Sequence, residues 1–171
     1  MRRVVVVGGT GSGKSTVASE LASRLRSDVI ELDALWWDSD WSPAGRELLR
    51  ARLLPRLSAE RWVVEGYYVD ELSDALWPLA DTIVWLDISR HVAIRRALRR
   101  SVRRAISRSA LWNGNRESLS VLSPLSVWRL VRRWPGYSEQ IERRLKELQL
   151  EDVSIVRLRS GDEVRAWLES A

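Results

Sequence analysis

The chain has 171 residues, of which 45% are hydrophobic and 30% are charged, and its formal net charge at pH 7 is +5. This length supports one sizeable core and is short for two, so we expect a single domain over residues 1–171. With no cysteine and only one histidine, His91, the sequence excludes a disulfide framework and a cysteine-ligated zinc site. No apolar run approaches the ~20 residues of a membrane span, so we expect neither a signal peptide nor a membrane anchor, and a cytoplasmic location.

Short apolar runs alternate with segments of helical periodicity along the chain. The first run, residues 4–7, is entirely valine and ends in a glycine-rich turn, which is typical of a buried parallel strand. Strands are predicted at residues 4–7, 29–32, 62–65, 82–86 and 153–158. Helices are predicted at residues 14–26, 44–58, 91–106, 126–134, 138–148 and 162–169. This alternation predicts a three-layer α/β fold, with a five-stranded parallel sheet between two layers of helices.

The turn after the first strand carries a nucleotide-binding motif. Residues 8–15 satisfy the pattern G-x-x-x-x-G-K-[ST], and they lie between a predicted strand and a predicted helix. The backbone N–H groups of such a loop and the N-terminus of the helix favour bound phosphate. The motif therefore predicts a P-loop nucleoside triphosphate hydrolase fold. The residues that we expect to bind ATP are Gly8, Gly9, Thr10, Gly11, Ser12, Gly13, Lys14, Ser15 and Thr16.

Three residues at the end of this motif have distinct expected roles. Lys14 should reach the β- and γ-phosphates of the nucleotide. Ser15 is placed to offer its hydroxyl oxygen to Mg²⁺. Thr16 can support the first helical turn or reach the α-phosphate.

Acidic residues follow three of the predicted strands, namely Asp33, Glu65 and Asp87. Ligands of open α/β sheets bind beyond the carboxyl ends of the strands, so these carboxylates could border the triphosphate. There they could hold Mg²⁺ through water, as we expect for Glu65, or accept a proton from a substrate. The alternative for each is that it caps a helix or a turn.

The predicted helix at residues 91–106 is strongly basic. Residues 88–116 hold nine arginines and no acidic residue. Its apolar residues repeat every four positions, at Ile94, Leu98, Val102 and Ile106, which predicts one apolar face and one arginine face. Since no acid relieves the repulsion, we expect a bound polyanion, either phosphates in transfer or a nucleic-acid backbone. The stretch at residues 113–124, rich in Ser, Asn and Gly, is a candidate mobile insertion.

Several of these motifs together resemble the nucleoside-monophosphate-kinase-like branch of P-loop proteins, and within it the adenylate-kinase-like group of DNA topology modulation proteins. The likeness covers nearly the whole chain. It is carried by residues 8–16, by Leu32-Asp33 followed by Trp36-Trp37, by residues 62–67, and by Leu86-Asp87 followed by Arg96 and Arg100. Adenylate kinases carry two arginines at the spacing that Arg96 and Arg100 have from Asp87.

The resemblance implies roles for further residues. Arg96 and Arg100 would clamp the nucleotide and the transferring phosphoryl group. Residues 103–134 would form a lid, and residues 160–162 would pass the adenine ring. The lid arginines that could close over the phosphates are Arg116, Arg129, Arg132 and Arg133.

The sequence departs from adenylate kinases on the acceptor side. Those enzymes have Asp-Gly-Phe-Pro-Arg after the third strand, whereas residues 65–69 here read Glu-Gly-Tyr-Tyr-Val, so the arginine that grips the acceptor phosphate is missing. Asp33, Asp38 and Asp40 stand where another acceptor-binding arginine would be, with Arg46 only later. Carboxylates repel a nucleoside monophosphate and suit a hydroxyl acceptor, which needs a base.

The sequence therefore predicts a small-molecule kinase that uses MgATP. Lys14, Arg96 and Arg100 would neutralise charge, and Asp33 would be the base. The acceptor would contact residues of the helical region 34–60 and of the third strand's end, namely Asp33, Trp36, Trp37, Glu65, Gly66 and Tyr67. Two alternatives stay open: a nucleic-acid-associated ATPase that binds through the arginine helix, and a nucleotide-binding regulator with negligible turnover.

Overall fold

The computed structural model of the chain describes residues 1–118, 120 and 123–170. These residues form a five-stranded sheet in which every pair of neighbouring strands is parallel. The strand order is β2-β3-β1-β4-β5, so the strand that precedes the glycine-rich loop lies in the centre. The strands are β1 (Arg3–Gly8), β2 (Val29–Glu31), β3 (Trp62–Glu65), β4 (Thr82–Leu86) and β5 (Ser154–Leu158).

Helices connect the strands and cover both faces of the sheet. They are α1 (Lys14–Leu25), α2 (Leu32–Trp36), α3 (Arg46–Leu53), α4 (Val69–Leu76), α5 (Arg90–Ser107), α6 (Pro124–Leu148) and α7 (Gly161–Ser170). Short 3-10 turns lie at Ser39–Trp41, Leu54–Ser58, Trp77–Leu79 and Trp112–Gly114. The predicted three-layer α/β fold is confirmed, because alternate β1 side chains pack into different helical layers: Val5 and Val7 into one core, Val4 and Val6 into the other.

The structure differs from the sequence prediction at α6. Two helices were expected, separated near Pro135, but one helix runs from Pro124 to Leu148. A proline inside a helix removes one hydrogen-bond donor, and the helix can continue when later turns are held by packing. Ile141, fully buried in the core beside β1, provides that packing.

The buried face of α5 also differs from the prediction. Instead of the large apolar residues spaced by four, Ala93 and Ala97 are buried, while Ile106 is 73% exposed. Small residues are required here because α5 lies directly against the glycine-rich loop. Within the described residues, no helix combines the length and the apolar character that a membrane crossing needs.

Candidate active site

The glycine-rich loop joins β1 to α1 and requires unusual backbone angles. Gly11 and Gly13 have φ values of +76° and +103°, which side chains rarely adopt. Gly8 has φ +153°, and a Cβ there would lie 2.6 Å from the carbonyl oxygen of Leu86. A Cβ on Gly11 would collide with the carbonyl oxygen of Ala93 in α5. The glycines therefore shape the loop and also let α5 approach it.

Lys14 begins α1 and is held above the loop. Its ammonium donates a hydrogen bond to the carbonyl oxygen of Gly9 at 3.1 Å. Burial lowers the pKa of Lys14, and the nearby carboxylates of Glu65 and Asp33 oppose that change. A cation that is withdrawn from water in this way interacts strongly with any phosphate that enters.

Ser15 and Glu65 form a pair of oxygen donors beside Lys14. The Ser15 hydroxyl donates to Glu65 Oε1 at 2.9 Å, and Glu65 is a buried acid at the end of β3. Burial raises the pKa of Glu65, while Lys14 and the Ser15 hydrogen bond lower it. Among the residues that the structure describes, no group of three or more His, Cys, Asp or Glu side chains could hold a metal ion. The oxygen pair fits Mg²⁺, which takes few protein ligands and completes its shell with phosphate and water.

Three arginines of α5 face the loop. Arg96, Arg100 and Arg104, four residues apart on one face of the helix, line a cavity of about 250 Å³ together with loop residues 11 and 13–16. We call this the phosphate cavity. The Nε of Arg100 is buried and has no hydrogen-bond partner within the described part of the chain. Burial, followed by the charge of Arg104, lowers the pKa of Arg100. An anion in this cavity would relieve both conditions.

A second cavity adjoins the phosphate cavity on the side of α7. It has a volume of about 360 Å³, and its walls include Ser12, Ile88, Arg96, Gly161 and Val164. Arg96 lines both cavities, and a Cβ on Gly161 would lie 3.8 Å from its guanidinium. Gly161, the first residue of α7, lies within residues 160–162, where the resemblance implies the adenine ring.

On the opposite side of the loop lies a larger cavity of about 460 Å³, which we call the aromatic cavity. It opens onto the loop at Thr10 and Lys14. Seven of the residues that line it are aromatic: Trp36, Trp37, Trp41, Tyr67, Tyr68, Trp112 and Tyr137. The carboxylates along it are Asp33, Asp70, Glu71 and Glu117. The geometry places the cavity beside the glycine-rich loop next to an aromatic one, with Lys14, Arg100 and Arg104 lining both.

Asp33 is the carboxylate nearest in sequence to the tryptophans of this wall. It lies in the first turn of α2, and its Oδ1 accepts a hydrogen bond from the Tyr68 hydroxyl at 2.6 Å. Burial and the charge of Asp33 raise the pKa of Tyr68, so the phenol stays protonated and remains a donor. The neighbouring Tyr67 donates to the side-chain oxygen of Gln140 in α6. These hydrogen bonds fix Asp33 and both tyrosines at the cavity wall.

Hydrogen bonds join two tight turns over the aromatic cavity. The Asn115 side-chain oxygen accepts a hydrogen bond from the backbone N–H of Trp41 at 2.9 Å, and its amide nitrogen donates one to the backbone carbonyl of Asp38 at 2.8 Å. The Trp112 indole donates to Glu31 at 2.7 Å. We call the paired segments at residues 37–43 and 110–116 the interlocked turns, since an antiparallel bridge closes each of them. They position Trp41 and Trp112 edge to face, with ring centroids 6.4 Å apart.

Some residues singled out in the sequence lie elsewhere. Gly66 packs against Leu32, where a Cβ would be 2.7 Å from that side chain, and Glu65 contacts Ser15 rather than the aromatic cavity. Asp38 forms an ion pair with Arg52 at 2.9 Å. Asp87 forms one with Arg157 at 2.6 Å and lines neither the phosphate cavity nor the aromatic cavity; this ion pair is not the helix or turn cap that was its alternative.

Those of the expected lid arginines whose side chains the structure describes do not line the phosphate cavity. Arg116 is exposed on the interlocked turns, and Arg132 lies over the Trp128 ring at 5.1 Å. The side chains of Arg129 and Arg133 lie outside the described residues, as do residues 119, 121 and 122 of the candidate mobile insertion. The described part of that insertion is tied to the segment at residues 34–41 by Asn113 and Asn115.

Sequence reasoning missed several residues of the two cavities. Arg104, which forms an ion pair with Glu117 at 3.3 Å and lies over Trp112, could have been found, because it continues the spacing of Arg96 and Arg100. Trp41, Trp112 and Glu117 carry no local signal, since contacts between segments more than 70 residues apart bring them together.

Comparisons with known proteins agree with this geometry. The sequence matches no protein-family model. It is 31% identical to adenylate kinase 2 of Nostoc sp. over an alignment of 124 residues, which covers 56% of this chain and 67% of that protein.

The fold is shared with solved kinase structures. Shikimate kinase from Acinetobacter baumannii in complex with shikimate matches with a TM-score of 0.62 at 14% identity, covering 99% of this chain and 90% of that one. Deoxyadenosine kinase from M. mycoides with bound dATP matches with a TM-score of 0.56 at 14% identity, covering 98% and 95%. The fold, the motif at residues 8–16 and the similarity to adenylate kinase 2 together show that the chain belongs to the nucleoside-monophosphate-kinase-like family of P-loop proteins.

Proposed function

We propose that this protein is a kinase that transfers the γ-phosphoryl group of ATP to a hydroxyl group of a small molecule bound in the aromatic cavity. The observation that carries the proposal is the junction of the two cavities. Lys14, Arg100 and Arg104 line both of them, so a phosphoryl group held by these cations faces whatever occupies the aromatic side. The kinase names of the relative and of the structural neighbours support the reaction type.

The residues around the junction suit an in-line transfer. The acceptor oxygen would form a bond to the γ-phosphorus as the bond from that phosphorus to the β,γ-bridging oxygen breaks. The hydroxyl proton would pass to the Asp33 carboxylate, and ADP would leave. Lys14, Arg96 and Arg100 would stabilise the charge on the phosphoryl oxygens, which is the main source of catalysis in this chemistry.

Ser15 and Glu65 would hold Mg²⁺, Ser15 directly and Glu65 through water. When bound, the cation would neutralise charge on the β- and γ-phosphates. The Ser15 hydroxyl donates a hydrogen bond to Glu65, so the two oxygens are adjacent.

The acceptor side supports a hydroxyl compound over a nucleoside monophosphate. Arg100 and Arg104 line this side but also line the phosphate cavity, and two arginines of α3 are otherwise engaged: Arg46 donates to the backbone carbonyl of Asp70, and Arg52 pairs with Asp38. An acceptor phosphate would meet Asp33, Asp70 and Glu71 without a dedicated cation. We therefore expect AMP to be a poor acceptor.

A nucleic-acid-associated ATPase is the second candidate. Arg99 and Arg103 favour it, because they line a shallow groove on the outer face of α5 with the exposed Val102 and Ile106, away from the phosphate cavity. That groove is open and its lining surface is apolar, and Arg99 and Arg103 are the cations beside it that a nucleic-acid backbone would contact.

The test is acceptor-dependent ADP release from MgATP, measured with a panel of hydroxyl compounds, nucleosides, AMP and duplex DNA. At least one hydroxyl compound should stimulate release, and AMP should not. Lys14→Ala should abolish both turnover and the stabilisation of the fold against heat by nucleotide. Stimulation by DNA alone, or by AMP above every hydroxyl compound, would overturn the proposal.

A further inference from the structure

We infer that the acceptor is an organic cation, a hydroxyl compound that also carries an ammonium group. The inference rests on the proposed function, because it names the substrate class for the aromatic cavity. It starts from where the charges of that cavity lie. Its basic residues are Lys14, Arg100 and Arg104, and all three also line the phosphate cavity. When a triphosphate is bound, these cations face its oxygens.

The cavity wall beyond those cations is acidic. Glu117 is compensated, because it pairs with Arg104. Asp33 lies near Lys14 and Arg100 and accepts a hydrogen bond from Tyr68. Asp70 accepts from the Gln140 amide, and neither Asp70 nor Glu71 forms an ion pair with a side chain that the structure describes. Two carboxylates, those of Asp70 and Glu71, therefore remain along the cavity without a cationic partner among the described residues.

Two arginines of α3 bind backbone oxygens of the α4 segment that carries Asp70 and Glu71. Arg46 donates to the Asp70 carbonyl, and Arg50 donates to the Glu71 carbonyl while its other nitrogen pairs with Asp74. Among the described residues that line the aromatic cavity, Arg46, Arg50 and Asp74 do not occur. The charge that an occupant meets in the cavity is thus negative on the side away from the phosphates.

The aromatic part of the wall adds a second, independent preference. Trp36, Trp37, Trp41 and Trp112 follow one another edge to face, with successive centroid distances of 6.3, 5.7 and 6.4 Å. Tryptophan is the strongest of the aromatic side chains in attracting a cation to its face. The guanidinium of Arg104, 5.8 Å from the Trp112 centroid, already uses this attraction inside the cavity.

Together the two features select among acceptors. An aromatic wall alone would suit a nucleobase or a sugar ring as well as a cation. The uncompensated carboxylates disfavour phosphates and carboxylic acids and favour an ammonium group. An amino alcohol or an amino sugar suits both the aromatic and the acidic part of the wall through its ammonium group. Its hydroxyl group is then available to Asp33.

The experiment compares pairs of probes that differ in one positive charge. Choline is paired with 3,3-dimethylbutan-1-ol, and glucosamine with glucose; AMP and shikimate serve as anionic probes. Binding is followed by quenching of tryptophan fluorescence in the presence of a non-hydrolysable ATP analogue and Mg²⁺, and ADP release with ATP is measured separately. We expect the cation of each pair to bind about ten-fold or more tightly than its neutral partner.

Variants locate the effect on α4. Glu71→Gln and Asp70→Asn should reduce the preference for the cation several-fold while ATP affinity stays constant. The matched control is Asp74→Asn on the same helix, which removes a carboxylate outside the cavity and should leave the preference unchanged.

The readouts separate the two claims. Cation-selective binding without turnover of any acceptor would sustain the inference and contradict the proposed kinase. Turnover of a neutral or anionic acceptor, without preference within the matched pairs, would sustain the kinase and overturn the inference. Failure of both cations to bind better than their neutral partners would also overturn it.

Discussion

The two sides of the candidate site are built in opposite ways. The phosphate side comes from one loop of nine residues and from one face of α5, whereas the aromatic side collects residues from segments around positions 33, 67, 104–117 and 137–140. The first depends on backbone conformation and a local motif. The second depends on hydrogen bonds between distant turns. We therefore expect changes on the phosphate side to affect every nucleotide-dependent property and changes on the aromatic side to affect the acceptor alone.

The largest effect that would test this division is expected at Asp33. Asp33→Asn should lower kcat by about 10²–10⁴-fold, because a positioned base is lost, with little change in ATP affinity. Steady-state kinetics and nucleotide titration measure the two quantities. Tyr68→Phe is the companion variant, and it should lower kcat less, since it removes only the donor that orients the carboxylate. An unchanged kcat in Asp33→Asn would show that Asp33 is not the base.

The arginines of α5 give the next largest effect. Arg96→Ala and Arg100→Ala should each reduce turnover by about 10²–10³-fold, as losing a positioned donor to the transferring phosphoryl does. Arg99→Ala and Arg103→Ala are matched controls on the outer groove of the same helix and should change turnover little. Small, equal effects at all four positions, together with tight DNA binding at physiological salt, would favour the nucleic-acid alternative.

A smaller effect is expected at the interlocked turns. Asn115 is buried, and Asn115→Ala would leave the Trp41 N–H and the Asp38 carbonyl without their partner, at a cost of about 1–3 kcal/mol in folding free energy. The KM for the acceptor should rise and the affinity for ATP should not. Ser109→Ala, on an exposed residue nearby, is the control. A parallel loss of ATP affinity would show that the two sides are not independent.

The smallest effect concerns pH. Burial lowers the pKa of Lys14, so its ammonium loses the proton at a lower pH than an exposed lysine does. Phosphate binding needs the charged form, and ATP affinity should therefore begin to fall at a pH below about 10.4, the usual pKa of a lysine. The affinity of Lys14→Arg, relative to its own value at neutral pH, should stay flat because the guanidinium remains charged. Equal slopes for the two proteins would assign the titration to another group.

The same division explains what could be predicted from the sequence. The valines of β1, the motif after them and the strands at Trp62–Glu65 and Thr82–Leu86 follow from local pattern, and their predicted positions are confirmed. Helix α2 is only five residues long, too short to show periodicity, whereas α4 does carry a helical pattern, with buried Val69, Leu72 and Leu76, that the sequence prediction did not use. The wall of Trp41, Trp112 and Glu117 depends on Asn115 bonding to residues more than 70 positions away, which no local pattern contains.

The face of α5 that packs inward was predicted wrongly for a related reason. Large apolar residues normally mark the buried face, but here Ala93 and Ala97 are buried because the backbone of Gly11 lies against them. The sequence contains both halves of this contact without indicating that they meet.

That contact sets a dimension of the site. Because the Ala93 carbonyl leaves room for no side chain at Gly11, the loop and α5 approach each other there backbone to backbone. Helix α5 carries Arg96 and Arg100. The backbone contact at Gly11 therefore sets how far their guanidinium groups extend into the phosphate cavity. A single methyl group at position 11 would push α5 away from the loop. The arginines of α5 would then lie farther from the nucleotide, although none of them had been changed.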